Sequence, residues 1–247
     1  MNIFFEIHKN LPREGPGDNQ YTREIFLLLS SLPEKPHILD IGCGPGMQTL
    51  ELARNTKGTI TAIDTHLPFL EVLNQKIGQE GFSGRVKTEK MSMFTLKFPK
   101  DSFDVIWSEG AIYIMGFQRG LKEWKQYLKS GGYLVVSEIS WLKENIPPLL
   151  KAFWMEAYPG IRSISGNIAR VQQEGYHFIR YLVLSDSAWW KNYYDPLIKR
   201  ISKLKIKYRN NKEAMAQLED EEKEMEIFRK YSDIYGYVYY VMKKNTN

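Results

Sequence analysis

Residues 38–46 read Ile-Leu-Asp-Ile-Gly-Cys-Gly-Pro-Gly, an apolar strand running through Asp40 into three alternate glycines, Gly42, Gly44 and Gly46. A second apolar segment, Thr59 to Ile63, leads directly into another acid, Asp64. Alternate glycines let the backbone turn sharply and approach a ligand where a β-carbon would collide, and a carboxylate one strand over can accept hydrogen bonds from ribose hydroxyls. Asp64 follows Asp40 by 24 residues, which leaves room for one short helix and a return strand. The pairing points to a nucleoside-bearing ligand.

The rest of the chain supports a sheet around that loop. Short apolar segments at His37 to Ile41, Thr59 to Ile63, Arg85 to Glu89, Phe103 to Trp107 and Tyr133 to Ser137 alternate with amphipathic stretches. Leu70, Leu73 and Ile77, then Leu121, Trp124 and Leu128, recur at helical spacing and should face the sheet. This is the pattern of an α/β protein with a doubly wound, mostly parallel sheet. Sixth and seventh strands are expected at Tyr176 to Leu184 and Tyr237 to Val241, and Gly131-Gly132 reads as a helix stop and a tight turn into the fifth strand.

A chain of 247 residues with 43% hydrophobic content can bury one core, so residues 1–247 are expected to form a single domain. A covering helix is expected within 15–32, where Ile25, Leu28, Leu29 and Leu32 make one stripe after Gly15-Pro16-Gly17. Another helix should open at Pro147-Pro148, with Leu150, Phe153, Trp154 and Ala157 on one face. Between the last two strands, residues 186–231 are too long for a hairpin turn and read as a helical cap beside the ligand site. The cap holds a basic run from Lys199 to Lys212 and an acidic one from Glu213 to Glu226, with Leu197, Ile201, Leu204 and Tyr208 as its buried stripe. Much of the basic signal thus falls in the first of two complementary charged helices, which answers the net charge of +5 without a nucleic-acid partner. Aromatics do not alternate with the basic residues, which argues against a nucleic-acid face. Cys43 is the only cysteine, so no intramolecular disulfide forms, and the composition suits a reducing cytoplasm. No run of about 18 uncharged apolar residues offers a membrane span.

The form apolar-apolar-Asp-x-Gly-x-Gly-x-Gly, with Met47 opening the next helix, departs from the G-x-G-x-x-G of dinucleotide folds. It resembles the first motif of the class I S-adenosylmethionine-dependent methyltransferases, and the resemblance covers roughly Ile38 to Glu138. What it implies is a Rossmann-like methyltransferase fold of seven strands and S-adenosylmethionine as cofactor. It also implies roles: Asp40 and the loop Gly42, Cys43, Gly44 and Gly46 hold the methionine end, Asp64 takes both ribose hydroxyls, and Thr65 packs beside adenine. Ser92 and Met93 match the segment flanking the adenine ring, and Ser108, Glu109 and Gly110 match the loop beneath the methionine. The stretch from Trp107 to Tyr113 is similar to a small-molecule subgroup related to the quinone-biosynthesis methyltransferases. The Asn/Asp-Pro-Pro-aromatic box of adenine- and glutamine-modifying enzymes does not follow the fourth strand, and a single cysteine excludes arsenite methylation.

Methyl transfer from a sulfonium mainly needs an aligned, desolvated acceptor, and alignment supplies about 7–11 kcal/mol of barrier reduction. If a base is needed, Glu109 is the best-placed carboxylate, with Tyr113 and His177 behind it; its other reading is a cofactor contact or structural acceptor. Tyr113, Trp141, Trp154 and Tyr158, with the cap aromatics Trp189, Trp190, Tyr193 and Tyr194, are candidates to wall an apolar or cationic acceptor pocket. A small-molecule acceptor is the leading reading. A methyltransferase acting on RNA or protein, and a non-catalytic S-adenosylmethionine-binding protein, stand as alternatives.

Overall fold

The computed structural model describes residues 3–9 and 11–246. Two helices, α1 (Ile3–His8) and α2 (Asn19–Leu27), precede the sheet. The motif region then alternates strictly: β1 (His37–Ile41), α3 (Met47–Asn55), β2 (Thr59–Asp64), α4 (Leu67–Gln79), β3 (Val86–Lys90) and β4 (Phe103–Ser108). After α5 (Ile112–Met115) and α6 (Phe117–Trp124) come β5 (Leu128–Trp141), α7 (Pro148–Ala157), the two-residue β6 (Arg162–Ser163), α8 (Ile164–Gln173) and β7 (Tyr176–Val183). A short α9 (Asp186–Trp189), a π-helical turn over Trp190–Tyr194, α10 (Asp195–Lys207) and α11 (Lys212–Tyr231) lead to β8 (Tyr235–Lys244).

The strands lie in the order β3-β2-β1-β4-β5-β8-β7, with β6 paired to the end of β5. The pairs from β3 to β5 are parallel, and β8 runs antiparallel to both β5 and β7. The chain winds outward from β1 to β3, then returns to lay β4 on the other side of β1. The carboxyl ends of β1 and β4 therefore diverge at a topological switch point, where such sheets open a crevice. β1 and β4 are buried on both faces, apart from the exposed first residue of β1, as expected for strands covered by helices on each side.

Gly131-Gly132 does not end a helix. The helix stops at Trp124, a 3₁₀ turn follows, and the glycines sit inside β5, which begins at Leu128. Phe103 pairs with Leu128 and Val105 with Tyr133, so 129–132 form an irregularity at which Gly131 takes a φ of +70°. Sequence periodicity sees only a punctuation mark there, and pairing with β4 makes it a strand.

In residues 186–231 the basic α10 and acidic α11 lie together, with Leu197, Ile201 and Leu204 buried on the first and Leu218, Met225 and Phe228 on the second. Lys205 pairs with Glu222 between the two helices. Lys207 Nζ reaches Glu6 Oε1 at 2.5 Å and Tyr208 also bonds Glu6, while Arg200 Nε donates to the Glu6 carbonyl at 3.1 Å. Arg200 and Lys207 of the basic run thus hold α1.

Candidate active site

The glycine loop is tied to the end of β2 by its own backbone. Gly42 and Cys43 N–H donate to the Ile63 carbonyl at 2.9 and 3.0 Å, and Gly46 N–H closes a turn onto the Cys43 carbonyl at 3.0 Å. The glycines have different reasons to be there. A β-carbon on Gly42 would lie 2.5 Å from Ala111 Cβ, and one on Gly46 would lie 2.1 Å from Leu73 Cδ1; both serve packing. Gly44, at φ +52°, has only Glu14 Cγ within 4 Å of such a carbon, at 3.4 Å. Gly42 and Gly44 both line the cleft, and Gly44 is the one with open space where a side chain would stand.

Asp64 stands at the end of β2 and accepts from Gly44 N–H at 3.0 Å on one oxygen and from His66 N–H at 2.9 Å on the other. A carboxylate oxygen takes more than one hydrogen bond, so both retain capacity towards the cleft. The cleft, about 290 Å³, is lined by Gly42, Cys43, Gly44, Asp64, Thr65, Ser92, Met93, Glu109, Gly110 and Tyr113. Phe5, His66 and Phe69 also line it, with the Phe5 and His66 rings stacked at 3.9 Å. The fold brings together most of the residues singled out from sequence. Burial pushes the Cys43 thiol well above its usual range, so it packs as a neutral group.

Six site candidates lie outside the lining, Gly46 among them, packed against Leu73. Asp40 is fully buried beneath the loop and does not line the cleft. One of its oxygens takes the Thr49 hydroxyl at 2.6 Å and the other has no partner, and burial raises its carboxyl to about 7. It therefore ties β1 to α3. Ser108 is buried and donates to the Ile41 carbonyl at 2.9 Å, stitching β4 to β1. Trp141 and Trp154 do not line the cleft either. Their rings pack edge-on to buried Tyr235, at 6.5 and 5.0 Å, as part of the aromatic core that includes Trp189 and Phe228. Tyr158 lies outside the lining and meets Tyr113 edge-on at 6.0 Å. His177 is exposed on the outer strand β7. No residue of 186–231 lines the cleft; the cap reaches it through α1 and through Asn192, which donates to the Gly17 carbonyl and to Asp18, each at 2.9 Å.

Glu109, expected either as a general base or as a cofactor contact or structural acceptor, sits in a dense hydrogen-bond network at the cleft wall. Its carboxylate takes Arg13 Nη1 at 2.7 Å on one oxygen, and the Thr22 hydroxyl at 2.7 Å with the Trp107 indole N–H at 2.9 Å on the other. The side chains of Arg13 and Glu109 are 4% and 3% exposed. Three donors, one of them a guanidinium, thus hold the carboxylate in place as part of a buried network. Glu109 anchors residues 11–18, a strap that crosses the cleft and contributes Pro12, Arg13, Glu14, Gly15 and Pro16 to its wall. Gly17 makes room for the anchor, since a β-carbon there would lie 2.7 Å from Arg13 Nη1.

Glu14 carries no sequence signal beyond a charge beside a Gly-Pro turn. In the fold both its oxygens are shielded from solvent and without a hydrogen-bond partner. Burial, and then the charge of Asp64, raise its carboxyl to about 8.

Comparison with known proteins agrees with this geometry. Residues 39–136 match the family model described as a methyltransferase domain. The methyltransferase GfsG of Streptomyces halstedii is 32% identical over 103 residues, 41% of this chain and 37% of the relative. The demethylmenaquinone methyltransferase of Lactiplantibacillus plantarum is 25% identical over 167 residues, 66% of this chain and 69% of the relative. The solved structure of a methyltransferase from Geobacter sulfurreducens with S-adenosylhomocysteine shares the fold, with a TM-score of 0.81 at 17% identity over 98% of this chain and 97% of that one. The matched segment is the one that carries the glycine loop, Asp64 and Glu109, and it is similar to a methyltransferase domain. The aligned segments span from 37% to 69% of the two relatives' lengths.

Proposed function

We propose that the cleft binds S-adenosylmethionine and that the chain transfers its methyl group to a small-molecule acceptor. The observation that carries this reading is the pairing of Gly44 and Asp64: a bare backbone open to the cleft beside a carboxylate with acceptor capacity facing the same space. When bound, the cofactor supplies an electrophilic methyl group on a sulfonium. Asp64 accepts from the ribose hydroxyls, Thr65, Ser92 and Met93 border the adenine, and the glycine loop with Gly110 lies along the methionine end. The acceptor enters beside Tyr113 and Ile114, which are 41% and 53% exposed at the rim. No residue is assigned as base; the walls hold the acceptor in line and exclude water, the contribution that alignment makes to such displacements.

A small acceptor is favoured over RNA or protein because the cleft offers no free cation. Among the described residues, Arg13 is the one lysine or arginine along its wall, and Glu109 consumes it. The name of the Lactiplantibacillus plantarum relative also points to a small acceptor. A methyl-donor consumption assay over fractionated metabolite, RNA and protein pools tests the reading. Turnover in the metabolite fraction alone is expected. Turnover confined to RNA or protein overturns the acceptor class, and cofactor binding with no turnover in any pool leaves a non-catalytic binding protein.

A further inference from the structure

Among the described residues, Glu14 is the one acid along the cleft to which the fold gives no donor. Its Cγ would stand 3.4 Å from a β-carbon on Gly44 and its carboxylate feels the charge of Asp64, while the neighbouring cation, Arg13, points away to Glu109 and Asn19. The strap that carries it is fixed at both ends. Arg13 is locked into the buried pair with Glu109, and Gly17 and Asp18 are held by Asn192. Glu14 is thus held at the cleft by its neighbours' contacts, whereas its own head group makes no hydrogen bond.

A shielded carboxylate without donors costs free energy unless a ligand brings a donor or a positive charge. Asp64 already has two backbone donors; Glu14 has none. Resting on the assignment of S-adenosylmethionine to this cleft, we infer that Glu14 is the counter-charge of the cationic methionine end of the cofactor, its sulfonium and α-ammonium. The residue then has opposite effects in the two states. It destabilises the empty fold by its uncompensated burial, and it holds the ligand by charge pairing.

This is tested by isothermal titration of wild type and Glu14→Gln with three ligands that carry two, one and no cationic groups. S-adenosylmethionine carries sulfonium and ammonium, S-adenosylhomocysteine only the ammonium, and 5′-methylthioadenosine neither, though it keeps adenine and ribose. Glu14→Gln should weaken S-adenosylmethionine at least tenfold and leave 5′-methylthioadenosine within twofold, with S-adenosylhomocysteine between the two. Its ligand-free Tm at pH 8.5 should equal or exceed that of wild type, which a structural support would not do. Equal weakening of all three ligands, unchanged affinity for S-adenosylmethionine, or a lowered ligand-free Tm overturns the inference. Glu14→Asp, which keeps the charge, should bind S-adenosylmethionine more tightly than Glu14→Gln. Failure of wild type to bind any of the three overturns the cofactor assignment instead, so the two failures are distinguishable.

Discussion

Glu109→Gln separates the structural reading of this cleft from the catalytic one. The substitution keeps volume and one acceptor oxygen but leaves the Arg13 guanidinium, 4% exposed, opposite a neutral amide. Breaking a buried ion pair from one side costs about 3–5 kcal/mol, because the remaining charge stays desolvated; the retained oxygen, still able to accept from Thr22 or Trp107, argues for the lower end. For a chain of this size 1 kcal/mol corresponds to about 2–4 °C in Tm, so a fall of roughly 6–12 °C is expected. Calorimetric melting of the ligand-free protein measures it. Adding Arg13→Met removes the stranded cation and should recover part of the loss, giving a coupling in the double-mutant cycle. If Glu109→Gln melts with wild type while turnover drops by ~10²–10⁴-fold, the residue is a general base and the anchoring role is wrong.

Gly44→Ala and Gly46→Ala should fail in different ways. Each places a side chain at positive φ, at a cost of roughly 1–2 kcal/mol, but only Gly46→Ala drives a carbon into Leu73. Gly46→Ala should therefore lower the Tm more, and Gly44→Ala should lose cofactor affinity at a near-native Tm; identical stability losses in thermal melts would contradict this. A third expectation concerns pH. Burial raises the carboxyls of Glu14 and Glu138 to about 8 and that of Asp40 to about 7, so the folded chain retains protons that the unfolded chain has released. Their contribution to stability is fully present below the unfolded values near 4–4.5 and is lost as pH rises through 7 and 8. The ligand-free Tm should fall between about pH 5.5 and 8.5, and a Tm that climbs across that window would refute the sign.

Much of this architecture was legible in the sequence because its signals are local. The strand of His37 to Ile41, the glycines behind it and the acid at Asp64 lie within one β-α-β unit, and chain order alone places them together at a crevice. The long apolar stripe of α10 and the charge reversal into α11 likewise read as two paired helices. What was not legible depends on distant partners. Glu109 looks like a free acid beside the site until Arg13, 96 residues earlier, is found across from it. Trp141 and Trp154 have the composition of a pocket wall, and only the arrival of Tyr235 makes them core. Glu14 stands out by the absence of donors around it, a property that no residue pattern encodes.

The account's central claim is tested most directly by titrating the protein with S-adenosylhomocysteine, with NAD as the competing nucleotide, in wild type and Asp64→Ala. One site per chain is expected for S-adenosylhomocysteine and none for NAD. Asp64→Ala should weaken that site by ~1.5–3 kcal/mol through loss of a charged acceptor from the ribose hydroxyls. Binding of NAD in place of S-adenosylhomocysteine, or an Asp64→Ala protein of unchanged affinity, would contradict it.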